Sequence, residues 1–295
     1  MSPAQILNPN DLAVFALNGL SLGMILFMMA SGLTLIFGLI GLVNFAHGVL
    51  FTLGGYLTMV TVSYTGSYWL GIIVGTIVVG TFGLVLERTL LNHLYDEVLL
   101  GFLATFGIWL VLEEMIRFIW GGQGYSVKSP LSGSTTMLGF SYSTHRLFII
   151  VVGILVVALI GGLLRYTRIG LEIHATATNA DTAETLGIPT SKINSLVFFI
   201  GIALAALAGG LITPVTSVFP TLGIQYMLIA FLIVIVGGMG SFVGSFVASI
   251  AIGLITSFGT LVLAPTYVNI SVFVLAMIFI LVRPNGIFGT TGVLE

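Results

Sequence analysis

Asn44 and His47 lie in a stretch in which no Asp, Glu, Lys or Arg occurs between Asp11 and Glu87. An amide and an imidazole there can line a polar cavity or cross-link helices, and the imidazole can also act as a base. A second uncharged stretch runs between Lys192 and Arg283 and is interrupted by Gly-Gly-Met-Gly-Ser at 237–241. Glycines let a helix break, and broken backbone at membrane depth is tolerated only under protein or beside a water-filled cavity. Asn44, Phe45, His47 and Gly48, set opposite Gly237, Gly238, Gly240 and Ser241, are therefore the candidate path through the chain. The plainer reading, of equal weight, is that Asn44 and His47 cap or cross-link helices.

Other chemistries find little to work with. An intramembrane serine hydrolase needs a histidine beside its serine, and His93, His145 and His174 fall in predicted loops, which leaves His47 alone at depth. Glu113 and Arg117, four residues apart, read as a structural pair near a helix end rather than a proton relay. The two lysines, Lys128 and Lys192, lack the glycine-rich approach of a phosphate loop, so ATP chemistry is expected on another chain. With no cysteine, thiolate metal sites and cysteine nucleophiles are excluded. No catalytic residue, metal site or cofactor is expected.

The elements that hold these residues follow from composition. Charged residues make up 6% of the 295, hydrophobic residues 58%, and the mean hydropathy is +1.20. An average soluble protein carries about 25% charge, so the solvent of this chain is lipid. A net charge of −2 leaves no basic surface for nucleic acid. The apolar runs lack strand alternation, which selects an all-α, polytopic helix bundle over a β-barrel. Nine segments emerge: 12–40, 48–62, 69–86, 98–119, 147–164, 193–213, 224–236, 242–263 and 268–282. Some are short enough to be broken or re-entrant, so about eight to ten helices are expected in a single domain over 1–295. The start of the chain lacks a basic n-region, so the first segment is expected to remain in the mature protein. Glycine pairs such as Gly71 with Gly75 and Gly240 with Gly244 suit close helix packing. The stretches 35–57 and 234–254 share a run–break–run pattern that either chance or duplication explains.

Alternating nine spans places Arg88, Arg165, Arg168, Lys192 and Arg283 on one side and Arg117, Lys128 and Arg146 on the other. The positive-inside rule makes the first side cytoplasmic. The 165–192 loop on that side is the most informative polar segment. Asp181 is the expected N-cap of a short helix reaching Leu186, with Glu184 three residues later, Gly187 at C′ and Pro189 as a stop. Such a helix suits docking to a soluble partner, or serves only as a connector.

These residues carry a resemblance. Asn18-Gly-Leu-Ser-Leu-Gly23, Gly32-Leu-Thr-Leu-Ile-Phe-Gly38, Asn44-Phe-Ala-His-Gly48, Gly54-Gly-Tyr56, Arg168-Ile-Gly170, Ala175-Thr-Ala177, Leu186-Gly-Ile188, Gly237-Gly-Met-Gly-Ser241 with Gly244, and Arg283-Pro-Asn-Gly-Ile-Phe-Gly289 run along nearly the whole chain. Together they resemble the permease subunits of branched-chain amino acid type ABC importers. The resemblance implies a multi-pass protein of a prokaryotic cytoplasmic (inner) membrane. Its implied partners are two cytoplasmic ATPase subunits, a second homologous permease and an extracytoplasmic solute-binding protein. It also assigns ATPase coupling to Arg168, Gly170, His174, Asp181, Glu184, Leu186 and Gly187. Leu171 and His174 depart from the family, whose members often carry basic residues there. Relatives import branched-chain or other amino acids, short amides or urea, and no residue here selects among them. A zwitterionic amino acid could be met by freed backbone groups without charged side chains. A self-sufficient glycine-rich channel is the reading from a different class.

Overall fold

The computed structural model describes residues 9–95, 97–137 and 139–288. All nine expected apolar segments are helices: α1 (Pro9–Ile40), α2 (Ala46–Thr65), α3 (Tyr68–Thr89), α4 (Val98–Trp120), α5 (Thr144–Tyr166), α8 (Thr190–Ile212), α9 (Leu222–Gly237), α10 (Phe242–Gly259) and α11 (Pro265–Val282). Eight of them are long and apolar enough to cross a bilayer, and α9, with 16 residues, is the short one. Two further helices, α6 (Arg168–Thr178) and α7 (Ala180–Thr185), lie between α5 and α8. A hairpin of β1 (Ser134–Met137) and β2 (Phe140–Ser143), which the apolar pattern did not predict, precedes α5.

Contacts sort the helix ends onto two sides. Ser195 at the start of α8 bonds Glu87 at the end of α3, Gly240 approaches Gly38, and Gly286 approaches Gly238. These define one side. Tyr125 pairs with Val218, Tyr142 reaches Asn18, His145 reaches Leu211 and Ser257 reaches Phe15, which defines the other. The nine apolar helices therefore alternate in direction, and α6 and α7 lie on the same side as the ends of α3, α9 and α11.

Burial ranks the helices by position. Most residues of α1, α2 and α8 are buried, whereas only a small share of α4, α5 and α11 is. Apolar exposure in lipid carries no penalty, so helix association rests on close approach rather than on hydrophobic burial. Glycines supply that approach where helices cross. Gly32 on α1 and Gly201 on α8 each lie against the other's carbonyl, and Gly48 on α2 and Gly223 on α9 do the same. Gly83 on α3 packs on Ile202 of α8, as Gly253 on α10 packs on Gly19 and Gly23 of α1. Exchanging α1–α4 with α8–α11 thus reproduces the packing, with direction inverted, about the two reciprocal crossings. The 35–57 and 234–254 stretches do not correspond under this exchange. The break after α1 matches the α8–α9 connection, and the break after α9 matches the turn at Gly66.

Candidate functional site

His47 sits in the first turn of α2 against the middle of α1. A Cβ placed on Gly32 would meet its Cε1 at 2.9 Å. Gly32 in turn crosses Gly201, eleven residues from either end of α8. That registers His47 near the mid-plane of the bundle. Its Nε2 donates to the Met29 carbonyl at 3.1 Å, which leaves Nδ1 an acceptor without a partner among the described residues. Asn44 is wholly buried, and neither its amide nitrogen nor its oxygen has a partner among the described residues. Leaving such groups unmade costs about 1–3 kcal/mol each, so folding alone gives no reason for this amide.

The surroundings of Asn44 come from several elements. Thr105 of α4 donates to the Val43 carbonyl at 3.3 Å, and Gly101 of α4 lies under Leu42. Phe45 stacks edge-on against Phe102, with ring centroids 4.9 Å apart, and approaches Phe106 and Phe231. Gly48 admits Gly223 and Met227 at the start of α9. The ends of α2 and α9 that begin there have no side-chain cap, so backbone N–H groups of two helix starts lie at the crossing.

The glycine break has different neighbours. Gly237 packs against Gly244 and Ser245, Gly238 against Gly286, and Gly240 against Gly38. Gly240, at φ 86°, stands in the turn rather than in a helix, so Gly244 packs between helices with Gly237 and not with Gly240. Ser241 caps α10 by accepting from the Gly244 N–H at 3.0 Å. Phe231 is six residues before the break, about 9 Å along α9. Asn44–Gly48 and 237–241 are thus linked through α9, and the recorded contacts of the two segments run to different partners. Both segments are buried apart from half-buried Phe45 and exposed Met239.

Sequence reasoning missed four polar groups of this interior. Thr34 and Ser245 share a hydroxyl hydrogen bond of 2.6 Å between α1 and α10. Glu87, expected at a helix end, is buried and accepts from Tyr95 at 2.5 Å and Ser195 at 2.7 Å. Asn18 accepts from Tyr142 at 3.2 Å and from Arg146 at 3.0 Å, tying α1 to the outer hairpin and α5. The Tyr142 hydroxyl is pushed above the usual phenol range chiefly by burial, against which Arg146 acts. Hydroxyls and amides inside apolar runs were the available signal. His145 also differs from expectation, since it lies in the first turn of α5 and is buried rather than in a loop.

The 165–192 segment holds one helix more than expected. In α6, Thr167 caps the start by accepting from Gly170 N–H at 3.1 Å, and Arg168 pairs with Glu172 at 3.1 Å. Gly170 is buried against the Leu163 and Leu164 carbonyls, while His174 is exposed. The N-cap of α7 is Asn179, whose side chain accepts from Thr182 N–H at 2.8 Å; Asp181 is in the first turn and is not the cap. Glu184 accepts from Thr190 at 2.5 Å and so ties α7 to α8 instead of closing a capping box. Past Leu186, Gly187 adopts φ 83°, with Gly187 N–H to Glu184 O at 2.9 Å and Ile188 N–H to Ala183 O at 3.0 Å. This is a Schellman stop, at a φ that glycine adopts without strain. Leu171 and Leu186 are 70% and 75% exposed on this otherwise polar segment, which marks a surface suited to a protein partner. Gly289, the end of the last motif, lies outside the described residues.

Comparison with known proteins places these features in context. The family model described as branched-chain amino acid transport system / permease component matches residues 15–282. The high-affinity branched-chain amino acid transport system permease protein LivH of Salmonella typhimurium is 27% identical over 288 residues, covering 92% of this chain and 94% of the relative. BraD of Pseudomonas aeruginosa, described in the same words, is also 27% identical over 288 residues, with the same coverage. The fructose import permease protein FruF of Bifidobacterium longum is 29% identical over 236 residues, 77% of this chain and 64% of the relative. No solved structure matches.

Proposed function

The chain belongs to the family of branched-chain amino acid transport permease components, and from that premise we propose that it forms the translocating subunit of an ABC importer for branched-chain or related amino acids. It is a multi-pass inner-membrane protein. The observation that carries the proposal is the extent of the family match, which begins inside α1 and ends at the last residue of α11. Every long apolar helix lies within it, apart from the first six residues of α1. ATP hydrolysis belongs to two cytoplasmic ATPase subunits that dock on α6, α7 and the exposed Leu171 and Leu186. A second homologous permease completes the membrane unit, and an extracytoplasmic binding protein delivers the solute.

The path passes Asn44, Phe45, His47 and Gly48 where α2 crosses α9, and continues beside the 237–241 break. Its support is the buried amide of Asn44 without a partner among the described residues, together with two helix starts at one crossing that lack a side-chain cap. A zwitterion needs donors for its carboxylate and acceptors for its ammonium, and freed backbone plus an amide supply both. Because these residues are buried, the structure corresponds to a closed path that opens when α2 and α9 part at Gly48 and Gly223.

Proteoliposomes holding the permease pair, the ATPases and the binding protein test this reading. ATP-dependent uptake of labelled leucine, isoleucine or valine is expected. Uptake without ATPase subunits would make the chain a self-sufficient facilitator, and transport of urea, short amides or fructose in place of amino acids would overturn the substrate class.

A further inference from the structure

A cavity of about 640 Å³ opens between the cytoplasmic end of α5, the start of α6 and the start of α10. Its walls include Val157, Gly161, Gly162 and Phe242, and its rim carries Arg165 and His174. The glycines are not there for helix packing. A Cβ on Gly162 would meet nothing within 4 Å, and one on Gly161 would first meet the Phe242 ring at 3.7 Å. Elsewhere in the bundle, glycines such as Gly32 and Gly223 are pressed against backbone. Here they leave an open groove along a helix of which few residues are fully buried.

Charge and depth specify the occupant. Arg165 is one residue from the end of α5, which, on the cytoplasmic sidedness proposed for the 165–192 segment, sets it at the level of the inner headgroups. Among the described residues it makes no ion pair or hydrogen bond, and only the ring of Tyr166, 5.8 Å from its guanidinium carbon, lies beside it. Arg168, by contrast, is already balanced by Glu172. From Arg165 back to Val157 the groove follows α5 for about 12 Å, most of the depth of one leaflet. Basic pockets between helices on the cytoplasmic side hold anionic lipid headgroups. We propose that this groove binds an anionic phospholipid, with its phosphate at Arg165 and an acyl chain over Gly161 and Gly162. The site is separate from the transport path, and its test does not depend on transport.

The test uses the full chain in detergent, depleted of lipid and then offered phosphatidylglycerol and phosphatidylcholine, with bound lipid counted by native mass spectrometry. Wild type is expected to retain phosphatidylglycerol in preference. Arg165→Gln should lower that retention about fivefold, the factor for one basic side chain at an anionic surface. Gly162→Leu, which fills the groove and keeps the charge, should lower it as well, and phosphatidylcholine retention should not change. Lys128→Gln, which removes a cation from the outer side, should leave retention as in wild type. Monodisperse elution of each variant establishes that it is folded. Equal retention in Arg165→Gln and Gly162→Leu as in wild type overturns the proposal, as does a loss in Lys128→Gln as large as in Arg165→Gln. If inorganic phosphate alone displaces the lipid and Gly162→Leu has no effect, the site is a phosphate site and the lipid assignment fails. If Arg165→Gln instead lowers ATPase-subunit association with lipid retention intact, the groove takes a protein and the proposal is likewise overturned.

Discussion

Glu87 is buried near the C-terminal end of α3, where it joins the α3–α4 connection to α8 through Tyr95 and Ser195. Removing it strands two hydroxyl donors. Glu87→Ala should therefore lower stability by about 2–3 kcal/mol, read as a lower midpoint of thermal denaturation in detergent, and Glu87→Gln, which keeps an acceptor, should lose less. Equal midpoints for Glu87→Ala and wild type would show that the carboxylate is not integral to the fold. The Tyr95 hydroxyl is raised above the usual phenol range by burial first, and then by its bond to Glu87 and that group's charge. The folded protein thus holds this proton more tightly than the unfolded chain does. The resulting stabilisation is complete below about pH 10, the unfolded value, and is lost as pH rises through the higher folded value. The stability gap between wild type and Tyr95→Phe should accordingly narrow above that pH, as alkaline denaturation curves would record.

At the scale of elements, the caps of α7 offer the test of its proposed coupling role. Asn179→Ala should cost about 1 kcal/mol of local stability. Asp181→Ala, which loses only an interaction with the helix dipole, should cost about 0.3–1 kcal/mol. Gly187→Val places a β-branched residue at φ 83° and should disturb the stop more than either. If α7 is the coupling element, substrate-stimulated ATPase activity of the purified assembly falls in the order Asp181→Ala, Asn179→Ala, Gly187→Val, with membrane insertion intact. Normal ATP hydrolysis and import in Gly187→Val would place coupling elsewhere.

For the whole molecule, the two reciprocal crossings are where helix backbones approach closely, without room for a side chain. Gly201→Leu drives a side chain into the backbone of α1 and should sharply reduce the yield of folded protein, whereas Gly162→Leu, facing open space, should not. Expression in membranes followed by size-exclusion elution distinguishes the two. The closed path makes a second expectation. The chain has no native cysteine, so single cysteines at positions 44 and 47 report access directly. Both should be protected from a water-soluble thiol reagent in the conformation described here and become reactive in one of the nucleotide-free and ATP-trapped states of the assembly. Protection in both states, with uptake unchanged in Asn44→Ala and His47→Ala, would return these residues to packing.

The sequence by itself determined the solvent and the number of apolar helices, because charge is excluded from hydrocarbon and glycine, proline and polar clusters divide the long uncharged stretches into span-length runs. It also located the short cytoplasmic helix, since Gly187 and Pro189 act on the backbone within a few residues. Local signals were weaker at the start of that helix, where Asn179, Asp181 and Thr182 all suit a cap and only the turn geometry selects Asn179. Burial was not legible at all. In an almost uniformly apolar chain, helices such as α1 and α4 read alike, yet one is enclosed and the other exposed. That Gly32 meets Gly201, that Gly48 meets Gly223, and that Glu87 bonds Ser195 inside the bundle depend on residues more than a hundred positions away. Only the tertiary structure decided those, because helix packing in lipid is set by shape across a crossing and not by hydrophobicity along the chain.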